Sequence, residues 1–271
     1  MTVLVTGATG LVGQRLLPRL VGAGINCRAL VRGGKATAPG VTAVEGDILD
    51  PGSLAAAVEG VSAIIHLAAL LRSADSELIW KVNVEGSRNL IDAAKRHAPD
   101  VSFIMASTGL IYNPDAQRPS REGDAAEPKM PYPASKLTAE NELRESGLNW
   151  SIQRLGFVYG DNDEHIAMVP RLAGMFGWHP ANRLSMIHHQ DIATAMKLAL
   201  TGAFDRRTVN IVDEAPTTIY ELAQLGGTGM EPSGEPMARP WFGHLDGGLA
   251  RELGFQPLVR TVHQAAQEGA L

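Results

Sequence analysis

The chain has 271 residues, 45% of them hydrophobic, and a mean hydropathy of −0.03. It is long enough for one large α/β domain, and no apolar run approaches the length that spans a bilayer. The 24 basic and 29 acidic residues give a net charge of −5 and no general basic field for a polyanion. Composition therefore argues against a membrane role and a nucleic-acid partner. The single cysteine, Cys27, and the lack of a signal-peptide pattern predict a cytoplasmic location.

The first two thirds of the chain alternate short aliphatic runs with longer helical stretches. Strands are predicted at residues 3–5, 27–31, 41–44, 63–67, 101–105, 151–154 and 209–212. This order is typical of βαβ units and predicts an α/β fold with a Rossmann-type, doubly wound parallel sheet. From about Asp213 onward the alternation is lost and glycine and proline become frequent, which predicts a small irregular C-terminal subdomain.

Turn and cap residues mark several element boundaries. Gly24 is placed to end the first helix, Asp50-Pro51 to start a helical turn, and Thr218 with Glu221 to form a capping box. Two stretches, 113–133 and 161–182, are rich in Pro, Gly, Asp and Asn and are predicted to be long loops. Loops of this length often carry binding residues.

A glycine-rich turn lies between the first predicted strand and the first helix. Its sequence from Thr6 to Gly13 is Thr-Gly-Ala-Thr-Gly-Leu-Val-Gly. In this position, small residues let backbone N–H groups approach a pyrophosphate at the helix N-terminus. The turn is therefore predicted to bind a dinucleotide through Gly7, Thr9, Gly10, Leu11, Val12 and Gly13.

The end of the second strand indicates which dinucleotide is bound. An acidic residue there would accept hydrogen bonds from the ribose hydroxyls, but this chain has Arg32, which suits a 2′-phosphate. Arg32 therefore favours NADP, with NAD as the alternative and Arg28 and Lys35 as candidate helpers. Further cofactor contacts are predicted after the third and fourth strands, at Asp47, Ile48, Leu67, Ala68 and Ala69. Asp47 has the alternative role of capping a turn.

Tyr132 and Lys136 stand one helical turn apart, which places a phenol and an ammonium on one helix face. They form an acid and its activator. The spacing alone is weak evidence, because a Tyr four residues before a Lys also occurs by chance on solvated helices. The glycine turn upstream and the strand that ends in Ser107-Thr108 strengthen the interpretation.

Together these motifs resemble the extended short-chain dehydrogenase/reductases, the NAD-dependent epimerase/dehydratase family. The resemblance covers nearly the whole chain and is carried by residues 6–13, 66–69, 83–86, 107–108, 111–112, 132–136, 154–160, 187–191 and 253–257. It implies an NAD(P)-binding domain at residues 1–160, to which 184–213 return, and a small substrate-binding region at 161–183 and 214–271. It also implies a homodimer through the helix that bears Lys136.

The resemblance implies a role for each residue of the chemical site. Tyr132 supplies a proton to a carbonyl oxygen, and Lys136 binds the nicotinamide ribose. Lys136 and a cationic nicotinamide are expected to lower the pKa of Tyr132. Thr108 holds the carbonyl oxygen, with Ser107 as the alternative hydroxyl. Asn83 supports a water relay or anchors its helix.

Two further positions follow the sixth strand. Gly156 and Val158 are expected to border the nicotinamide, while Arg154 fixes that loop. No metal site is predicted at the histidines His165, His179, His188 and His189, because no second set of carboxylates or cysteines stands at ligand spacing around them.

The chain departs from the sugar-nucleotide members of the family in one respect. Their usual basic position before the 187–191 segment aligns with Leu184, and Arg183 is displaced by one residue. This departure argues against a diphosphate clamp. Several large apolar residues in the irregular stretches suggest an apolar pocket instead: Met130, Met168, Met175, Phe176 and Trp178.

Three functions remain in competition. The first is hydride transfer between NADP(H) and a small-molecule carbonyl or alcohol, with Tyr132 as the acid or base. The second is an NAD-dependent sugar-nucleotide epimerase or dehydratase, in which the cofactor stays bound. The third is a non-catalytic redox sensor that binds the dinucleotide and a protein partner.

Overall fold

The computed structural model describes residues 1–271 and contains a seven-stranded parallel sheet. The strands of the chain are β1 Thr2–Thr6, β2 Asn26–Val31, β3 Val41–Glu45, β4 Ala63–His66, β5 Ser102–Thr108, β6 Asn149–Leu155, β7 Phe157–Tyr159, β8 Arg183–Leu184, β9 Met186–His188, β10 Arg207–Ile211 and β11 Thr217–Thr218. The order in the large sheet is β3-β2-β1-β4-β5-β6-β10. All seven strands predicted for this sheet are therefore present, and the predicted fold class is confirmed.

The helices are α1 Gly13–Gly22, α2 Ala55–Val58, α3 Ser76–Trp80, α4 Gly86–His97, α5 Pro131–Glu145, α6 Val169–Phe176, α7 His189–Leu200, α8 Ile219–Leu225, α9 Gly248–Glu252 and α10 Val262–Gln267. A π-helical turn, Lys81–Glu85, joins α3 to α4. None of the helices is both long and apolar enough to cross a bilayer. The predicted boundary signals are confirmed at Gly24, at Asp50 and in the Thr218–Glu221 capping box.

The sheet is covered on both faces, so its strands are apolar at nearly every position. Along β1 the side chains alternate: Val3 and Val5 join a core formed with α1 and α7, whereas Leu4 joins a second core formed with α2, α4 and α5. All three are fully buried. The strand order changes direction between β1 and β4, and this is the point at which doubly wound sheets open a crevice at the carboxyl ends of their strands.

A third, smaller core lies outside the sheet and joins residues from both parts of the predicted substrate-binding region. Val169 and Ala173 of α6 pack there with Leu222 of α8 and Val262 of α10. The division into two regions stays a prediction. Phe255, from the second part of that region, packs instead in the core of the large sheet.

One predicted loop contains a helix. The stretch 161–182 includes α6, which begins with Pro170 in its first turn and ends at Gly177 in a left-handed conformation, φ 63°. Both residues are helix-terminal signals, and they lie only seven positions apart. The interpretation as a loop was wrong because so short a helix shows almost as many boundary residues as interior ones.

Candidate active site

The carboxyl ends of β1, β4 and β5 border a cavity of about 2280 Å³. Every residue predicted to bind the cofactor lines it: Gly7, Thr9, Gly10, Leu11, Val12, Gly13, Arg32, Asp47, Ile48, Leu67, Ala68, Ala69, Tyr132, Lys136, Gly156 and Val158. Thr108 lines the same cavity. The fold therefore places the glycine turn and the Tyr132–Lys136 pair around one space.

The glycine turn has the geometry of an anion-binding helix start. Gly7 has a positive φ of 68°, and a Cβ there would lie 2.6 Å from the Ala68 nitrogen; a Cβ on Gly13 would lie 2.2 Å from the Gly7 oxygen. Only glycine fits at these two positions. α1 has no side-chain cap and no acidic residue in its first turn, and the N–H groups of Leu11 and Val12 make no hydrogen bond within the protein. These donors fit a dinucleotide pyrophosphate.

Arg32 follows β2, lines the cavity and is 69% exposed. One of its guanidinium nitrogens lies 3.6 Å from Asp47 Oδ2, and an exposed ion pair of this kind contributes little to stability. Asp47 also caps its own turn, because its Oδ1 accepts a hydrogen bond from the Leu49 nitrogen. Both roles considered for Asp47 are therefore compatible with its position.

Arg28 does not help at this site, contrary to expectation. Its guanidinium donates to the carbonyl oxygens of Ala56, Ala57 and Glu59, where it caps the end of α2. The side chain points from the middle of β2 toward α2, and it does not line the cavity. Lys35, two glycines beyond Arg32, does line the cavity.

Tyr132 and Lys136 lie in the first two turns of α5. Lys136 is 2% exposed, and burial lowers the pKa of its ammonium to about 8, while the nearby Glu140 carboxylate opposes that shift. The Tyr132 side chain is partly exposed to the cavity, but burial of its hydroxyl raises its pKa to about 12. The expected lowering of the Tyr132 pKa is therefore not found. In this state Tyr132 holds its proton at neutral pH.

The structure distinguishes the two neighbouring hydroxyls at the end of β5. Ser107 donates its hydrogen bond to the buried Glu140 carboxylate. The Thr108 oxygen accepts a bond from the Leu110 nitrogen, 3.2 Å away, which leaves the Thr108 proton free to donate. Of the two candidates, Thr108 therefore has the hydroxyl that is available to a ligand.

Glu140 is a residue of this region that the sequence analysis missed. It is fully buried, and its carboxylate accepts bonds from Arg154 Nη2 and from Arg144 Nη2, each at 2.7 Å. Arg154 also donates to the Tyr112 hydroxyl at 2.9 Å. This network ties α5 to β5 and β6, and it gives Arg154 a structural role. Lys136, Glu140 and Arg144 share a four-residue spacing, which is the signal in the sequence that points to Glu140.

Asn83 lies outside the cavity lining and is fully buried in the π-helical turn. Its Oδ1 accepts from the Leu70 nitrogen at 2.7 Å, and its Nδ2 donates to the Leu70 oxygen and to the Ser135 hydroxyl at 3.1 and 2.9 Å. Ser135 in turn donates to the Tyr132 carbonyl oxygen. These bonds favour the anchoring role of Asn83 over the water relay, because its amide already joins the cavity wall to the start of α5.

His66 ends β4, is fully buried and lies beside Thr6, the last residue of β1 before the glycine turn. The Ser87 hydroxyl donates its proton to the main-chain carbonyl oxygen of Asn83. It therefore accepts a hydrogen bond from His66 Nε2–H, at 2.9 Å. The other ring nitrogen, His66 Nδ1, accepts from the Thr6 hydroxyl at 2.7 Å. Burial, with a smaller contribution from the Lys136 charge, lowers the pKa of His66 to about 3. The imidazole is therefore neutral and fixed in one tautomer.

The four histidines considered as metal ligands each bond a protein group, and His165 and His189 both lie near Asp163 Oδ2, at 3.5 and 2.9 Å. His188 bonds the Ala270 oxygen, and His189 bonds Asp163 Oδ2, each at 2.9 Å. His165 Nδ1 lies 2.9 Å from the Val158 oxygen, and His179 Nδ1 accepts from the Ala181 nitrogen. No group of three or more His, Cys, Asp or Glu side chains is arranged to hold a metal ion.

Most of the apolar residues predicted to shape a pocket do line the cavity. The cavity walls include Met130, Met175, Phe176 and Trp178 but not Met168.

The single cysteine lies away from this cavity. Cys27 is a buried core residue, and burial raises the pKa of its thiol to about 11.

Comparison with known proteins identifies the family. The model of the NAD dependent epimerase/dehydratase family matches residues 3–212. The chain therefore belongs to this family, as its motifs predicted, and is an oxidoreductase-type enzyme with an NAD(P)-binding Rossmann fold. Its substrate and reaction are not defined by this membership.

Individual relatives show how the family has diversified. The chain is 29% identical over 246 residues to 4-hydroxy-2-methyl-3-oxo-4-farnesyl-3,4-dihydroquinoline-1-oxide ketoreductase of Stigmatella aurantiaca, covering 83% of this chain and 72% of that protein. It is 29% identical over 250 residues to photosystem II assembly factor Ycf39 of Synechocystis sp., covering 88% and 72%. In some other curated relatives the match spans about half of their length.

Solved structures agree on the fold. A short-chain dehydrogenase/reductase superfamily protein from Agrobacterium tumefaciens with bound NAD superposes with a TM-score of 0.83 at 23% identity, covering 99% of this chain and 95% of that one.

Proposed function

We propose that the chain is an NADP(H)-dependent reductase of an organic carbonyl compound, with Tyr132 as the proton donor. The observation that carries this proposal is that Tyr132, Lys136 and the free hydroxyl of Thr108 line the same cavity as the unpaired N–H groups of the glycine turn. A proton donor, a cation and a hydrogen-bond donor thus stand beside a site that fits a dinucleotide.

Each of the three side chains has a defined task in the proposed reaction. NADPH held by the glycine turn supplies the hydride that the carbonyl carbon gains. Thr108 donates a hydrogen bond to the carbonyl oxygen, where negative charge develops. Tyr132 transfers its proton to that oxygen, which completes the alcohol, and Lys136 stabilises the phenolate left on Tyr132 until water restores its proton. Lys136 also binds the nicotinamide ribose.

The preference for NADP over NAD rests on the end of β2. Arg32 is largely exposed, and Gly33 and Gly34 follow it with φ values of 60° and 64°. Two consecutive positive φ values turn the chain so that Lys35 also lines the cavity. The positive charges of Arg32 and Lys35 would attract the 2′-phosphate of NADP, and only the Asp47 carboxylate would repel it.

Reduction is favoured over epimerisation by the cavity wall at β8. Leu184 aligns with the usual basic position of the sugar-nucleotide members of the family, and it lines the cavity whereas Arg183 does not. The relative from Stigmatella is a ketoreductase. The intact set of Thr108, Tyr132 and Lys136 argues against a non-catalytic sensor, because dinucleotide binding alone does not need a proton donor.

The test is the oxidation of added NADPH, followed by absorbance, with a panel of ketones and aldehydes. We expect turnover with wild type and a loss of about 10²- to 10⁴-fold in kcat for Tyr132→Phe. NADPH binding, measured by fluorescence, should persist in the variant. If no carbonyl compound is reduced and the purified protein holds stoichiometric, non-exchanging NAD, the proposal is wrong and the epimerase hypothesis gains support.

A further inference from the structure

The cavity extends beyond the residues predicted to contact a dinucleotide. Its volume of about 2280 Å³ exceeds the several hundred Å³ that hold one drug-sized ligand. The outer walls come from α6, from residues 178–185 and from the irregular segment 228–245. A substrate whose carbonyl lies at Tyr132 would place the rest of its structure here.

An aromatic row forms one wall of this outer part. The rings of Phe176 and Trp178 stack with their centroids 5.5 Å apart, and Trp178 meets Phe242 at 5.8 Å. Gly177 makes the row possible, because its left-handed conformation ends α6 and turns the chain so that both neighbours reach the cavity. Such a row offers a continuous apolar surface rather than isolated contacts.

A cation is absent from the position where a diphosphate would need one. In β8, successive side chains point to opposite sides: Leu184 is 5% exposed and lines the cavity, whereas Arg183 is exposed and does not line it. Leu184 packs against Gly243, where an added Cβ would lie 2.7 Å from its methyl group. The strand register therefore directs an apolar group into the cavity and the cation away from it.

The other polar groups of the outer walls are mostly engaged with the protein; the exception is Nε2 of His179, which is buried without a partner. Asn182 donates to the Arg239 carbonyl oxygen at 2.7 Å, and the Arg239 guanidinium bonds Asp115 at 3.0 Å. The remaining cations that line this part, Arg72 and Lys129, are both exposed. The arginine and lysine side chains of the outer walls therefore offer no buried, unpaired positive charge to a phosphate.

The exposed edge of the cavity carries large apolar side chains beside the cations Arg72 and Lys129. Met175 is 60%, Phe176 42% and Met130 40% exposed, and all three line the cavity. Large apolar side chains exposed side by side mark binding surfaces more often than accidental exposure. Here they border an opening into an apolar space, which suits the entry of a lipophilic molecule.

We infer that the substrate is an uncharged carbonyl compound with an extended apolar chain or ring system, which lies along Phe176, Trp178 and Phe242. The same walls offer the diphosphate of a nucleoside-diphosphate sugar no buried arginine or lysine. The inference rests on the proposed function for the reacting carbonyl. The apolar wall, however, binds the chain of such a compound whether or not its carbonyl is reduced, so the two ideas can fail separately.

The first measurement is kcat/KM with NADPH for methyl ketones from butan-2-one to decan-2-one. We expect an increase of about three- to fourfold for each added methylene, the factor for moving one CH₂ from water to an apolar wall. Phe176→Ser should flatten this dependence. Tyr220→Ser is the matched control, because Tyr220 is an exposed aromatic residue on α8 that does not line the cavity. Equal efficiency at all chain lengths in wild type overturns the inference.

A binding measurement separates the inference from the proposed reaction. Nile red bound in the cavity should be displaced by the ketones at concentrations that fall with chain length, and UDP-glucose should not displace it. If no ketone is reduced but this order of displacement holds, the reductase proposal fails and the inference stands. Displacement by UDP-glucose at a lower concentration than decan-2-one overturns the inference even if ketones are reduced.

Discussion

The hydroxyl of Ser107, at the end of β5, donates a hydrogen bond to the buried carboxylate of Glu140 on α5. Thr108, the next residue, keeps its hydroxyl proton for the cavity. Glu140 also lies one turn beyond Lys136, and its charge opposes the lowering of the Lys136 pKa. One carboxylate thus fixes the strand that carries Thr108 relative to the helix that carries Tyr132 and Lys136.

Removal of this carboxylate should destabilise the fold. Glu140→Ala leaves the Arg154 guanidinium, 4% exposed, without its charge partner, and breaking a buried pair in this way costs about 3–5 kcal/mol. Urea unfolding measures the loss. Glu142→Ala on the same helix is the control, because its partner Arg88 is 53% exposed and such pairs contribute about 1 kcal/mol or less. Equal losses for both variants would contradict the assigned role of Glu140.

Arg32→Ala should change the cofactor preference. A hydrogen bond between charged groups contributes about 1.5–3 kcal/mol, so KM for NADPH should rise roughly 10- to 150-fold while KM for NADH changes little. Arg28→Ala serves as the control, because its guanidinium is bonded to the carbonyl oxygens at the end of α2. Steady-state kinetics with both dinucleotides would show the result. A parallel change in both KM values would mean that Arg32 does not contact a 2′-phosphate.

The rate of reduction should depend on the protonation of Lys136. Burial lowers the pKa of its ammonium to about 8, so the group is charged below pH 8 and loses its charge as the pH rises through that value. Tyr132 stays protonated over the same range, since its pKa is raised to about 12. We expect kcat/KM for reduction to fall above about pH 8. A profile that is flat from pH 6 to pH 10 would exclude this role of the Lys136 charge.

His66 should make the fold sensitive to acid. Its pKa is lowered to about 3 by burial, whereas an unfolded chain has a histidine pKa near 6.5. Between these values the unfolded chain binds a proton that the folded chain does not. The contribution of His66 to the free energy of unfolding is therefore complete above pH 6.5 and decreases as the pH falls toward 3.

NMR tests this directly in the folded protein. The His66 imidazole signal, assigned by its loss in His66→Gln, should not titrate between pH 8 and pH 5. The exposed His97 provides a reference signal in the same spectrum. A His66 midpoint near pH 6.5 would contradict the buried, neutral imidazole.

Local patterns in the sequence were sufficient for the sheet and for the cavity lining. Strands buried on both faces are continuous apolar runs, and the glycine turn is specified by neighbouring residues, so both are visible along the chain. Arg144 is a local partner of Glu140, but its other partners, Arg154 and Ser107, lie 14 and 33 positions away, and those of Asn83 lie 13 and 52 away. The four-residue spacing alone does not report the long-range partners, which is why the role of Glu140 was missed and that of Asn83 was left open.

The misplaced expectation for Arg28 has a similar cause. Arg28 lies four residues before Arg32, which suggested a shared ligand, but four residues of strand span about 13 Å. The acceptors that Arg28 reaches are the carbonyl groups that end α2. The free C-terminal carbonyls of a helix attract a nearby guanidinium. This competition is visible only when the packing of α2 against the sheet is known.

The most direct test of the proposed function follows the hydride. The protein is incubated with NADPH that carries deuterium at the transferable position of the nicotinamide and with an excess of a ketone that supports turnover. Mass spectrometry then determines where the label is. We predict one deuterium on the carbinol carbon of the released alcohol, and its loss with Tyr132→Phe. Label that stays on protein-bound dinucleotide, with no deuterated alcohol released, would contradict the assignment of the chain as a carbonyl reductase.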